Sequence, residues 1–125
     1  MDVQKFKEVI QKRINTVDEY YVGVEECWKE EIEVLSEDVP STVAYLKNEC
    51  TADEFAWICE IIDDLAAETQ SREIVECYKN LGEKYPDMAK TFNFAGCVKY
   101  AEAALGEDTV EDSDSNQPSK KRGKK

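Results

Sequence analysis

The chain is 125 residues long, and its 28 acidic and 16 basic side chains give a formal net charge of −12 at pH 7. This length is that of one domain, and no run of apolar residues approaches the roughly 18 that a membrane span needs. The chain contains no histidine, which excludes histidine-assisted nucleophilic catalysis and histidine-containing zinc sites. The first residues form no apolar signal region, so we expect a cytoplasmic protein.

The charge is unevenly distributed along the chain. Residues 107–125 contain five acidic and five basic side chains, so the whole net charge of −12 belongs to residues 1–106. The sequence therefore predicts an acidic domain over 1–106, followed by a disordered tail over 107–125 with a basic end. A body of this charge repels nucleic-acid backbones and attracts basic partners, so we expect no direct binding of DNA or RNA.

The first apolar stripe has the three- and four-residue spacing of a helix. It comprises Val3, Phe6, Ile10, Ile14, Val17, Tyr21, Val24, Trp28, Ile32 and Leu35. The stripe indicates either one helix of about thirty residues or two helices that break near the sequence NTVDE. We favour the break, because Asn15, Thr16 and Val17 are weak helix formers.

Start and stop signals mark the later helices. Pro40 is tolerated only in a first turn, so a helix is expected to begin close to it. Thr51 and Glu54 have the spacing of a capping box at the start of a helix over residues 51–70. Ser71 and Asn93 are predicted to cap two further helices. These signals predict an all-α fold: five or six helices in an antiparallel bundle or a small stack of helical hairpins.

The predicted helix over residues 51–70 has an acidic column on one side. Its members follow one another at three- and four-residue steps and are Asp53, Trp57, Glu60, Asp64 and Glu68. A tryptophan among carboxylates can serve as the apolar anchor of an interface that selects a basic partner. The alternative is that Trp57 packs into a neighbouring helix and the acids only flank it. Glu73 and Glu76 on the next helix join the candidate residues, and together with Glu83 on the same helix they are expected to widen the negative surface.

No pattern indicates catalysis, a metal site or a cofactor. The five cysteines are widely spaced and form no C-x-x-C pair, which is typical of small buried side chains rather than of a disulfide framework. Adjacent carboxylates such as Glu30 and Glu31 point about 100° apart on a helix, so they indicate a solvated acidic face. We therefore expect a protein that is not an enzyme.

The segment CTADEFAWICEIIDDLAAETQSREIVECYKNLGEKYP resembles the small all-helical immunity proteins of bacterial contact-dependent and related polymorphic toxin systems. The resemblance covers about residues 40–105. It implies a non-enzymatic cytoplasmic inhibitor that binds the catalytic domain of one toxin tightly, commonly a basic nuclease. It transfers no binding residues, so the seven candidate residues depend on the charge pattern alone.

Two other functions are consistent with the sequence. An acidic protein can imitate nucleic acid, as phage anti-restriction or anti-CRISPR inhibitors do, and it would then bind several DNA-handling proteins. A helical adaptor or chaperone is the other alternative, and its partner binding would survive high salt. The basic end of the tail, SKKRGKK, is compatible with a nuclear localisation signal, a weak nucleic-acid contact or a solubilising segment.

Overall fold

The computed structural model describes residues 1–106, and within that range it is all helical, which confirms the predicted fold class. The predicted disordered tail lies outside the described residues. The helices are α1 (Val3–Asn15), α2 (Tyr21–Ser36), α3 (Val39–Asn48), α4 (Ala52–Ile58), α5 (Ile62–Thr69), α6 (Arg72–Lys84), α7 (Pro86–Ala89) and α8 (Phe94–Ala104). In this range there are eight helices rather than five or six. The predicted helix over 51–70 is divided in two, and a single turn begins at Pro86.

The break predicted near NTVDE is present, because α1 ends at Asn15 and α2 begins at Tyr21. The two helices pack against each other as a hairpin. The predicted apolar stripe is wrong at this turn, where Ile14, Val17 and Tyr21 are exposed. The helix is interrupted between Asn15 and Tyr21, so the side chains at the turn no longer follow the buried side of a single helix.

The predicted caps are made by the expected side chains. Thr51 Oγ1 accepts the amide hydrogen of Glu54 at 3.1 Å, and Glu54 Oε1 accepts that of Thr51 at 3.2 Å, which completes the capping box. Ser71 and Asn93 accept amide hydrogens at the starts of α6 and α8. Pro40 lies in the first turn of α3, as expected. These caps satisfy donors that a helix leaves unpaired at its N-terminus.

The core contains a cluster of aromatic rings. The Phe55 ring lies 5.3 Å from that of Tyr78, 5.5 Å from Phe92 and 5.8 Å from Phe94, measured between centroids. The absent side chain of Gly82 leaves space for the Phe94 ring, so α6 and α8 approach closely. Helix α5 packs against α2, α6 and α8. Burial of each large apolar side chain contributes about 2–3 kcal/mol to the transfer free energy that stabilises such a core.

The five cysteines are free thiols, and three of them, Cys27, Cys50 and Cys77, are buried. Cys59 and Cys97 are partly buried and pack against the core. Within residues 1–106, no helix is both long and apolar enough to cross a membrane.

Candidate binding surface

The predicted acidic column is divided between two helices, which corrects the expectation of one continuous helix. Residues 59–61 form a turn, so Asp53 and Trp57 lie on α4 while Asp64 and Glu68 lie on α5. No glycine or proline marks this turn, and the β-branched Ile61 and Ile62 are only weak helix formers. The turn that interrupts the predicted helix contains Glu60, which makes tertiary contacts.

Glu60 lies in this turn and binds side chains from both helices of the α1–α2 hairpin. Its Oε1 accepts from Arg13 Nε at 2.9 Å and from Trp28 Nε1 at 3.0 Å, while its Oε2 accepts from Arg13 Nη2 at 2.8 Å. Arg13 is 5 % exposed, so this bidentate pair is largely removed from water. Asp18 accepts a further bond from Arg13 Nη2 at 3.1 Å. The carboxylate of Glu60 is therefore engaged within the chain.

Trp57 is partly buried and packs against the core cluster. The Arg13 guanidinium carbon lies 5.0 Å from the centroid of its ring, a cation–π distance. Asp53 is exposed in the first turn of α4. The structure thus places Trp57 and Glu60 around Arg13, and it places Asp53 apart from them in solvent.

Asp64 and Glu68 line an open groove between α2 and α5. The groove has a volume of about 480 Å³. Its lining comprises Glu25, Trp28, Lys29, Ile32, Glu33, Ser36, Asp64 and Glu68. Four carboxylates and a single ammonium group surround an apolar lining supplied by Trp28 and Ile32. We call this feature the acidic groove. Burial, and then the nearby Asp63 carboxylate, raises the pKa of Asp64 above its usual value.

Glu73 and Glu76 do not line the acidic groove. Both are exposed on α6, and Glu76 Oε2 lies 3.4 Å from Lys79 Nζ. Lys79 also pairs with Glu102 on α8 at 3.2 Å. The structure therefore brings Asp64 and Glu68 together and leaves the two α6 residues on a separate surface.

The groove residues of α2 were missed by sequence reasoning, although their spacing carried a signal. Glu25, Lys29 and Glu33 recur at four-residue steps, and Trp28 and Ile32 lie beside them at the same spacing, as in the column that singled out α4 and α5. This pattern on α2 was not recognised because Trp28 was interpreted as part of a buried stripe. The structure shows that Trp28, rather than Trp57, is the tryptophan beside Asp64 and Glu68.

An exposed apolar patch adjoins Trp28. The Tyr21 ring meets the Trp28 ring edge to face, with centroids 6.0 Å apart, and Tyr21 itself is 58 % exposed. The patch, at the tip of the α1–α2 hairpin, comprises Ile14, Val17, Tyr20, Tyr21 and Val22. Exposed apolar side chains gathered in this way are typical of interaction surfaces. Of these side chains, Tyr21 contacts Trp28, which lines the acidic groove.

Glu31 is buried, which corrects its assignment to a solvated acidic face. It is 0 % exposed because it continues the buried side of α2 that also contains Cys27 and Leu35. Neither carboxyl oxygen has a hydrogen-bond partner. Burial is the main cause that raises the pKa of Glu31 to about 8, the Glu60 carboxylate adds to the rise, and Arg13 opposes it. Glu31 is therefore mostly protonated at neutral pH.

Neither a cluster of metal-ligating side chains nor a reactive state of Cys50 or Cys59 is found among the described residues. Within residues 1–106, no three metal-ligating side chains converge. Burial raises the pKa of the Cys50 and Cys59 thiols to about 12, so both stay protonated at neutral pH and are poor nucleophiles. The charge of the acidic groove, with four carboxylates and one ammonium group, attracts cations.

No protein-family model, curated protein or solved structure matches this chain.

Proposed function

We propose that this protein is a non-enzymatic inhibitor that binds a basic protein partner, and that it acts as an immunity protein against a nuclease-type bacterial toxin. The observation that carries the proposal is the acidic groove, where Glu25, Glu33, Asp64 and Glu68 outnumber Lys29 around an apolar lining. Residues 1–106 carry a net charge of −12, so the domain as a whole has the same sign as the groove.

The proposed mechanism is occlusion without chemistry. Nucleases carry positive clefts because their substrate is a polyanion. An acidic, compact protein approaches such a cleft quickly under electrostatic steering, and apolar contacts then slow its dissociation. In this proposal Trp28 and Tyr21 supply those apolar contacts, since tryptophan and tyrosine are enriched among residues that dominate binding energy. Trp57 is assigned a supporting role beneath Arg13.

The test is affinity capture with the tagged full-length chain from a host lysate, washed at low and moderate salt. The binding variant is Asp64→Lys with Glu68→Lys. The matched control is Glu83→Lys with Asp87→Lys, which has the same four-residue spacing and the same change in charge on exposed positions outside the groove. A third variant, Glu73→Lys with Glu76→Lys, tests the surface on α6.

One basic nuclease captured by the wild type and the control, and lost from the groove variant, is the expected result. Capture of several unrelated DNA-handling proteins would favour a nucleic-acid mimic instead. A partner retained at moderate salt by every variant would favour an adaptor, because a steered acidic interface weakens as salt screens it. Thermal unfolding of each variant verifies that loss of binding is not loss of fold.

A further inference from the structure

The acidic groove lies beside the point where the described chain ends. Gln70, which follows α5, accepts the amide hydrogen of Gly106 through its Oε1 and donates from Nε2 to the Ala104 carbonyl at 2.9 Å. Asp64 is six residues before Gln70, which is about 9 Å along a helix axis. The chain beyond Gly106 therefore starts close to the helix that supplies two groove carboxylates.

The sequence beyond Gly106 contains one segment whose charge fits the groove. Its first part is acidic, with Glu107, Asp108, Glu111, Asp112 and Asp114, and has the same sign as the groove. Its last part is basic, with Lys120, Lys121, Arg122, Lys124 and Lys125. We call residues 120–125 the basic cluster. Like charges repel, so only the basic cluster is complementary to the groove.

The connecting length is sufficient for the basic cluster to reach the groove. Thirteen residues, 107–119, separate the cluster from Gly106. Fully extended, a chain of that length reaches at most about 45 Å, several times the separation along α5. Because the cluster and the groove belong to one chain, their contact is intramolecular and needs less affinity than a contact between separate molecules.

We propose that the basic cluster binds the acidic groove of its own chain and competes there with other cationic ligands. The ammonium and guanidinium groups pair with Glu25, Glu33, Asp64 and Glu68, and the long aliphatic stems lie over Trp28 and Ile32. Arginine and lysine are also attracted to a tryptophan face. A role for this contact in regulating partner binding rests on the proposed function. The contact itself requires no partner.

The experiment compares two full-length proteins by NMR at low salt. One is the wild type, and the other carries Lys120→Ala, Lys121→Ala, Arg122→Ala, Lys124→Ala and Lys125→Ala. We expect the backbone amides of Glu25, Lys29, Asp64 and Glu68, together with the Trp28 indole, to differ between the two. The backbone amide of Glu83, which is exposed and outside the groove, serves as an internal reference. The differences should shrink as salt is raised to about 0.5 M, where the Debye length falls to about 4 Å.

A synthetic peptide SKKRGKK supplies a second readout with matched variants. It should bind the five-alanine protein at least threefold more tightly than the wild type, whose groove is already occupied. Adding Asp64→Lys and Glu68→Lys to the five-alanine protein should abolish that binding. Adding Glu83→Lys and Asp87→Lys should leave it within twofold. Thermal unfolding of each variant is measured separately to verify that it is folded.

Identical groove spectra for the two proteins, or equal peptide affinity, would overturn the proposal. Spectral differences that grow with protein concentration would assign the contact to a second copy and would also overturn it. Because these measurements use only this chain and its own peptide, their outcome is separate from the search for a toxin. A contact found without any basic partner would leave this inference standing while the proposed function fails.

Discussion

Arg13 and Glu60 join α1 to the turn between α4 and α5 through two hydrogen bonds of 2.9 and 2.8 Å. The same carboxylate accepts the indole hydrogen of Trp28, whose ring lines the acidic groove. Glu60 therefore connects the packing around Trp57 on one side with the candidate binding surface on the other. Loss of the Glu60 side chain is expected to affect both the packing around Trp57 and the candidate binding surface.

Glu60→Ala is expected to lower the free energy of unfolding by about 3 kcal/mol, because it leaves the buried Arg13 guanidinium without its bidentate partner. Chemical denaturation with the two-state analysis measures the change. The control is Glu30→Ala, which removes a carboxylate paired with the exposed Lys12 at 3.1 Å and should have little effect. Equal losses for the two variants would show that the Arg13–Glu60 pair contributes nothing beyond a surface ion pair.

Glu31→Gln should alter how stability depends on pH. The folded state holds the Glu31 proton up to a pKa of about 8, whereas the unfolded state loses it near 4.5. Wild-type stability therefore has a contribution that falls as pH rises through this window, and the glutamine variant lacks it. The free energy of unfolding of the variant minus that of the wild type should rise by up to about 1.4 kcal/mol per pH unit.

Urea unfolding of both proteins at about pH 5, 6, 7 and 8 measures this difference. Subtracting the two curves removes the contributions of all other titrating groups that the proteins share. Parallel curves across the range would contradict the buried, unpaired state of Glu31.

Gly82→Ala should destabilise the fold by about 1–3 kcal/mol, although alanine is the better helix former. A Cβ atom there would lie 2.2 Å from Phe94 Cζ, and that ring is packed in the aromatic cluster. Gly23→Ala is the contrasting variant, since its Cβ would meet the ring of Tyr20 at 2.6 Å, and Tyr20 is 60 % exposed. That ring can turn outward, so we expect Gly23→Ala to be neutral or stabilising.

Thermal unfolding ranks the two glycine variants. Similar melting temperatures for both would mean that Phe94 moves as easily as Tyr20, which would contradict close packing between α6 and α8.

Cys50 and Cys59 should react slowly with iodoacetamide at about pH 8 in the folded protein. Burial raises both thiol pKa values to about 12, so the reactive thiolate is scarce. Peptide mapping by mass spectrometry after timed labelling, with and without denaturant, is expected to show at least tenfold slower labelling of the folded protein at both sites. Labelling of Cys50 at the same rate in both conditions would contradict its burial.

The sequence by itself determined the helical class, the caps and the sign of the surface. Thr51 with Glu54, Ser71, Asn93 and Pro40 act through neighbours within one turn, so their roles follow from local spacing. Net charge is a sum over side chains and needs no structure. The break between α1 and α2 was likewise visible in the weak helix formers that mark it.

Only the tertiary structure decided which residues share a surface. The turn at 59–61 contains Glu60, whose carboxylate bonds to side chains 32 and 47 residues away in sequence, and no local pattern encodes these partners. The same packing brings Glu25 of α2 beside Asp64 of α5, removes Glu31 from water and leaves Tyr21 exposed. Periodicity identifies the faces of a helix, but the contacts between helices determine which face becomes core and which becomes the acidic groove.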